Sequence, residues 1–131
     1  MTVQGLENIA YDVRMKQEDD MLRYVITGER SVDSAYLLWE RIYQDCEEHN
    51  LFKVHATVLL SGQISKMEIP LLINRLIALN DRRQITCAWV DHNFTSYLDN
   101  LVGEKIPRPK SMNIRIFNND QEAVAWLRAQ R

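Results

Sequence analysis

The run at residues 52–62, FKVHATVLLSG, constrains the fold of this chain more than any other segment. It is rich in β-branched and apolar residues, which favour a strand, and a glycine closes it. Alternate residues form its two sides: Phe52, Val54, Ala56, Val58 and Leu60 on one, and Lys53, His55, Thr57 and Leu59 on the other. Because the run ends apolar on both sides, we predict a central strand covered by helices on both faces of its sheet.

Strands and helices alternate along the rest of the predicted fold. Apolar and polar residues alternate at 9–16 and at 22–27, and the short connection between these runs predicts an antiparallel hairpin whose first strand is a sheet edge. The nearly uncharged run at 85–90 and the run at 112–117 predict two more strands. With the helices between and after them, the order is β-β-α-β-α-β-α-β-α. This order indicates a single-domain α/β fold with a mixed, mainly parallel sheet flanked by helices.

The helices have local signals of their own. Ser31 or Asp33 can cap the first helix, and Ser65 with Glu68 forms a capping-box pattern before the second, although Pro70 also suits a helix that begins there. Apolar residues at spacings of three and four predict the buried side of each helix. These sets are Ala35, Leu38, Trp39, Ile42 and Cys46 in the first, Ile69, Leu72, Ile73, Leu76 and Leu79 in the second, and Phe94, Leu98 and Leu101 in the third, which we expect to end near Gly103.

The composition argues against several classes of protein. A chain of 131 residues is long enough for one well-buried core. Its net charge of −2 argues against a nucleic-acid-binding protein, and we expect the basic groups at Arg82–Arg83 and at Lys105, Arg108 and Lys110 to be solvated. Cys46 and Cys87 fall within apolar patterns as small buried residues. With no signal-like N-terminus and no apolar run of membrane-spanning length, a cytoplasmic protein is expected.

The carboxyl ends of the parallel strands are where a ligand is expected in such a sheet. Helix N-termini meet at the same edge, which favours an anion such as phosphate. The polar residues that follow the strands and could contact a ligand or anion there are Arg30, Ser31, Asp91, His92, Asn93, Asn118 and Asn119.

Evidence for catalysis in the sequence is weak. Asp91–His92 is the only acid–histidine pair at a strand end, and Ser61 at the neighbouring end would be the nucleophile of a hydrolase. We expect instead a turn aspartate beside an exposed histidine, and a packed rather than catalytic His55. The chain has no metal-ligand spacing and no phosphate or dinucleotide loop, so we predict a non-enzymatic protein without metal or cofactor.

The final segment, IRIFNNDQEAVAWL, resembles the last strand and helix of the STAS-like superfamily, specifically the small bacterial SpoIIAA-like proteins that share a fold with anti-sigma-factor antagonists. The element order is similar over roughly residues 8–131. In true antagonists of that superfamily a serine is phosphorylated after the third strand, within a D-S-S/T-G-like motif. The corresponding residues here are Ser61 and Gly62, but Leu60 stands where the motif has an acid.

Two functions follow as hypotheses. The resemblance implies a regulatory or protein-interaction module, expected to be a homodimer, whose contact or phosphorylation residues are Ser61, Gly62, Ser65 and Glu68. The superfamily's similarity to SEC14-type lipid-binding domains implies an alternative, a binder of an apolar or lipid-like small molecule. Leu71, Leu72, Ile73 and Ile77 make the second helix apolar nearly all round. A ligand cleft and a dimer interface would both use such a helix.

Overall fold

The computed structural model describes residues 11–130, in which five strands and four helices alternate after an initial hairpin. The first two residues of the predicted edge strand, Ile9 and Ala10, lie outside the described residues. In chain order the elements are β1 (Tyr11–Glu18), β2 (Met21–Glu29), α1 (Val32–His49), β3 (Lys53–Ser61), α2 (Glu68–Asn80), β4 (Ile85–Asp91), α3 (Phe94–Glu104), β5 (Met112–Phe117) and α4 (Asp120–Ala129).

The strands form one sheet in the order β1-β2-β3-β4-β5. β1 pairs antiparallel with β2, and every later pair is parallel. This confirms the predicted α/β class, the mainly parallel sheet and the central position of β3. In the register, Val58 of β3 lies between Ile26 of β2 and Asp91 of β4, so β3 continues for three residues beyond the end of β4.

Helices cover the two faces of the sheet unequally. Successive right-handed crossovers to the next strand place α1, α2 and α3 on one face. There a large core includes Tyr24, Leu38, Ile42, Val54 and Cys87. α4 packs alone on the other face, over a smaller core that includes Val90, Phe117 and Leu127. The larger core and the three helices define the side of the sheet on which a site can be enclosed.

Side-chain caps start three of the helices, the first of them at Ser31, one of the two residues predicted to cap it. Ser31 accepts a hydrogen bond from the Ser34 amide, Asn93 from the Ser96 amide, and Asn119 from the Glu122 amide. Each cap satisfies an amide that has no partner within its helix. A cap that is already engaged in this way leaves less of the helix terminus free for an external anion.

The predicted capping box at the second helix is wrong. α2 begins at Glu68 with Met67 in the N-cap position and no side-chain cap. The Ser65 hydroxyl accepts from the Met67 amide, and the Ser65 carbonyl accepts from the Glu68 amide. Pro70 lies in the first turn, where its missing N–H removes no helical bond. A short turn ahead of the helix therefore replaces the capping box.

The predicted orientation of the third helix is also wrong. Phe94 is 71% exposed and Leu98 45% exposed, whereas Ser96 and Gly103 are buried. Gly103 brings the α3 backbone against α2, because a Cβ there would lie 3.5 Å from Ile69 Cγ2. Phe94 and Leu98 of the predicted stripe therefore face outward, Leu101 is half-buried, and the polar side of α3 faces the interior.

The central strand differs from its prediction at both ends. Phe52 precedes β3 and is 38% exposed, and Leu59, on the α4 side, is half exposed. The ten-residue α4 packs on β3, β4 and β5 but does not reach the end of β3. The expectation of helices over both faces thus holds for the middle of β3, where Ala56 and His55 are buried, and fails at its carboxyl end.

Arg108 is not the solvated loop cation that the sequence predicted. Its guanidinium donates to the carbonyls of Met112, Ile114 and Glu104, the last two at 2.6 Å. The Glu104 carboxylate accepts from the Ile116 amide at 2.6 Å. These bonds engage backbone groups of β5, which lies at an edge of the described sheet. Without such partners an edge strand invites pairing with other chains.

Candidate functional site

A cavity lies between the sheet and the helices α1, α2 and α3, and it is the best-formed candidate site among the described residues. Its volume is about 130 Å³. The residues around it come from all three helices, from four strands and from their connections. They are Tyr11, Arg30, Ala35, Leu38, Trp39, Leu60, Ile64, Ile69, Leu72, Ile73, Leu76, Trp89, Ser96, Asp99, Asn100, Gly103, Glu104, Arg108, Met112, Ile114 and Ile116.

Most of the cavity wall is apolar. Trp39 of α1 and Trp89 of β4 stack with their ring centroids 5.5 Å apart and their planes 17° apart. Leu38 and Leu72 are buried beside them. The sequence analysis assigned Trp39 to the core, which is correct, since it is 5% exposed, but it also lines the cavity. A wall of this kind favours a hydrophobic molecule.

One end of the cavity is polar, and a buried ion pair fixes it. Arg30 Nη2 lies 2.7 Å from Asp91 Oδ2, and both side chains are buried. Asn100 Nδ2 donates to the same oxygen at 3.0 Å, and the Asn93 amide donates to Asp91 Oδ1 at 3.0 Å. Through these contacts Asp91 connects the residue after β2 with the N-cap residue of α3 and with a residue in the middle of that helix.

The structure corrects the prediction for Asp91. It is not a turn residue at the surface but a fully buried carboxylate at the end of β4. It is buried because Arg30, whose backbone amide bonds to the Ser61 carbonyl, extends across the strand ends and compensates its charge. His92 is exposed, as expected.

Ser96 is the polar group of the cavity that sequence analysis missed. It is 3% exposed, and within residues 11–130 its hydroxyl oxygen has no hydrogen-bond partner. Buried hydroxyls almost always have one. Its position three residues after Asn93 predicts a capped amide but not a buried hydroxyl, and the apolar stripe of Phe94 and Leu98 predicted that the opposite side of α3 is buried.

The predicted phosphorylation corner is a separate, exposed feature. Ser61 ends β3 and donates a 3.2 Å hydrogen bond to the Gly28 carbonyl, and Gly62 follows with φ +77°. Ser65 and Glu68 are exposed at the start of α2. No hydrogen bond joins Ser61 to His92 in the described part of the chain. The hydrolase hypothesis therefore stays a prediction without geometric support.

The strand-end residues do not all converge. Ser31 and Asn93 cap helices on the cavity side, whereas Asn119 caps α4 on the opposite face. Asn118 is exposed beside Asn119. Of the seven residues predicted to contact a ligand or anion, Arg30, Asp91 and Asn93 form one connected group.

His55 lies on the α4 face, away from the cavity. It is 1% exposed, and its Nε2 lies 2.7 Å from Asp120 Oδ1 at the start of α4. Burial lowers the pKa of His55, which the Asp120 carboxylate opposes and the Arg23 guanidinium reinforces. A neutral, packed histidine agrees with the sequence analysis.

A second surface feature is the outer side of α2 and α3. Five large apolar side chains there are between 45% and 83% exposed. They are Met67 and Leu71 of the α2 end and Phe94, Leu98 and Val102 of α3; we call them the outer apolar surface. Exposed apolar groups clustered in this way are typical of contact surfaces.

Two kinds of site are not found in the described range. Residues 11–130 contain no group of three or more His, Cys, Asp or Glu side chains arranged to hold a metal ion. None of the helices in this range has both the length and the hydrophobicity to cross a membrane.

No protein-family model matches this chain, and no curated protein matches it at a significant level.

Proposed function

We propose that this protein binds a small, largely apolar molecule in the cavity between the sheet and α1, α2 and α3. The observation that supports this is the cavity itself, with its apolar wall and the stacked Trp39 and Trp89 at one side. An engineered cavity of about 150 Å³ in another protein, lined by apolar side chains, accommodates benzene. A volume of about 130 Å³ is close to that size. The proposed role is binding without catalysis.

A cavity-filling substitution tests this proposal. Ala35 of α1 lines the cavity, and Ala35→Leu places three more carbon atoms there while keeping a good helix former. Ala78→Leu, the same change at an exposed position of α2, is the matched control. Benzene, toluene and indole serve as probes, and binding is followed by the rise in unfolding temperature and by calorimetry.

We expect saturable binding by wild type and by Ala78→Leu, and at least a tenfold loss of affinity in Ala35→Leu. Native mass spectrometry of the purified protein is expected to show a retained small molecule. If no probe binds wild type, or if Ala35→Leu binds as tightly as the control, the cavity is not a binding site.

A second candidate is a STAS-like regulatory module that forms a homodimer and contacts a protein partner. It is supported by the exposed Ser61–Gly62 corner and by the outer apolar surface. A phosphate on Ser65, two residues before the N-cap position of α2, would add about two negative charges where a helix N-terminus favours them, and a phosphate on Ser61 would add the same charge at the end of β3. We place this module in the cytoplasm, which the two buried, unpaired thiols support.

Two substitutions separate this candidate from a ligand binder. Ser61→Asp is expected to change the set of captured partners, while Ser31→Asp at another strand end is not. Leu71→Glu on the outer apolar surface is expected to convert a dimer into a monomer in sedimentation equilibrium. Identical partners together with a monomeric wild type would refute the regulatory proposal and leave the ligand proposal intact.

A further inference from the structure

The unpartnered hydroxyl of Ser96 indicates where a ligand's polar group would lie. Ser96 is 3% exposed, lines the cavity, and has no hydrogen-bond partner for its side chain within residues 11–130. It occupies the third position of α3, where its amide is already capped by Asn93. A hydroxyl both donates and accepts, so it serves equally a hydroxyl or a carbonyl on the ligand.

The charged groups at the same end of the cavity disfavour an anion. The positive charge of Arg30 is compensated by Asp91 at 2.7 Å, and Asn100 completes that contact. Two further carboxylates, those of Asp99 and Glu104, line the cavity together with one further guanidinium, that of Arg108, which donates to backbone carbonyls. A carboxylate or phosphate on the ligand would therefore meet more negative charge than positive charge.

A cation is disfavoured for a different reason. Glu104 accepts the Ile116 amide at 2.6 Å through Oε2, so its other oxygen and Asp99 are left as carboxylate groups for an ammonium group. Both residues are only half-buried. Carboxylates that remain in contact with water compensate poorly for removing an ammonium group from water. An uncharged group meets neither difficulty.

We propose that the ligand is a molecule of about one ring, with a single uncharged hydroxyl or carbonyl that hydrogen-bonds to Ser96 Oγ. This inference rests on the proposed small-molecule function and adds the chemical class of the ligand. The stacked Trp39 and Trp89 and the volume of about 130 Å³ match a flat, ring-sized body. Ser96 supplies the polar contact.

The test measures four probes of similar shape: p-cresol, toluene, benzoate and benzylamine. Each is titrated by calorimetry into wild type, Ser96→Ala and the control Ser34→Ala, a serine that is buried in α1 and does not line the cavity. We expect wild type and Ser34→Ala to prefer p-cresol over toluene about three- to tenfold, the range of one net hydrogen bond. Ser96→Ala is expected to lose that preference, binding p-cresol no more tightly than toluene because the buried phenol hydroxyl then has no partner, and to keep its affinity for toluene.

The possible outcomes distinguish this inference from the function on which it rests. If toluene and p-cresol bind, with a ratio that Ser96→Ala leaves unchanged, the polar contact is refuted and the cavity function stands. Tighter binding of benzoate or benzylamine refutes the uncharged class. If no probe binds wild type, both the inference and the cavity function fail. The unfolding temperature of free Ser96→Ala, expected to equal or exceed that of wild type, verifies that the variant is folded.

Discussion

Removing the charge of Asp91 is expected to destabilise the protein strongly. Asp91 is fully buried, and its carboxylate contacts Arg30 at 2.7 Å, Asn100 at 3.0 Å and the Asn93 amide at 3.0 Å. Asp91→Asn leaves the buried guanidinium without a counter-charge and turns an amide N–H toward a group that itself donates. Breaking a buried pair in this way costs about 3–5 kcal/mol.

The double variant separates the ion pair from the packing around it. Arg30→Met/Asp91→Asn removes both charges, so it is expected to be less destabilised than Asp91→Asn alone, with a coupling energy of about 2–3 kcal/mol. Asp12→Asn is the surface control. Its partner Arg14 lies 3.4 Å away, but both side chains are mostly exposed, so about 0–0.5 kcal/mol is expected.

Urea unfolding followed by tryptophan fluorescence and circular dichroism measures the free energy of unfolding for wild type, for the single variants Arg30→Met and Asp91→Asn, for the double variant and for Asp12→Asn. The difference between wild type and Asp91→Asn is expected to be unchanged between low and high salt, because a buried pair is poorly screened. A loss below about 1 kcal/mol in Asp91→Asn, similar to that of the surface control, would refute the account of this end of the cavity.

Three further predictions concern other parts of the fold. The free energy of unfolding is expected to decrease as the pH falls below about 6.5, by up to about 1.4 kcal/mol per pH unit. The reason is that burial lowers the pKa of His55, so in this range only the unfolded imidazole takes up a proton. His55→Gln is expected to remove this pH dependence, and a variant with the pH profile of wild type would contradict the prediction. Arg108→Met is expected to lower the free energy of unfolding in urea by about 2–4 kcal/mol, because three hydrogen bonds to backbone carbonyls are lost. Lys110→Met, at an exposed position, is expected to change it very little. Equal effects of the two substitutions would show that the Arg108 contacts do not stabilise the fold. Gly62→Ala is expected to cost about 1–2 kcal/mol because φ is +77°, and a neutral result would show that the turn relaxes.

The sequence predicts the sheet well because its signals there are local and redundant. The central strand, the hairpin and the later parallel strands follow from apolar runs, alternation and short connections. Ser31, Asn93 and Asn119 cap their helices as their positions suggest. The meeting of charged side chains at the strand ends is also predictable, because Asp91 ends β4 and Arg30 directly follows β2 at the same edge of the sheet.

The orientation of α3 could not be predicted, because it depends on what the helix meets. The spacing of Phe94, Leu98 and Leu101 defines a stripe but not which way that stripe points. Contact with α2 at Gly103 and the bond from Asn100 to Asp91 turn the polar side inward. Both are long-range contacts, and neither is visible in the periodicity of the helix.

The burial of Asp91 and the isolation of Ser96 escaped prediction for the same reason. Both depend on partners, or on the lack of one, across the cavity. Arg108 is a comparable case, since a proline-rich loop at the surface gives no indication that its arginine bonds to β5.

The spatial order of the strands, which is also their order along the chain, affects how the protein is made. During synthesis each new strand finds its neighbour already present, but the growing sheet has an unpaired edge after every addition. The edge formed by β5 differs, because Glu104 and Arg108, which are synthesised before β5, hydrogen-bond to its backbone amide and carbonyl groups. We therefore expect released chains that end before residue 112 to self-associate and chains that include residues 112–131 to stay dispersed. Equal sedimentation of the two lengths would contradict this.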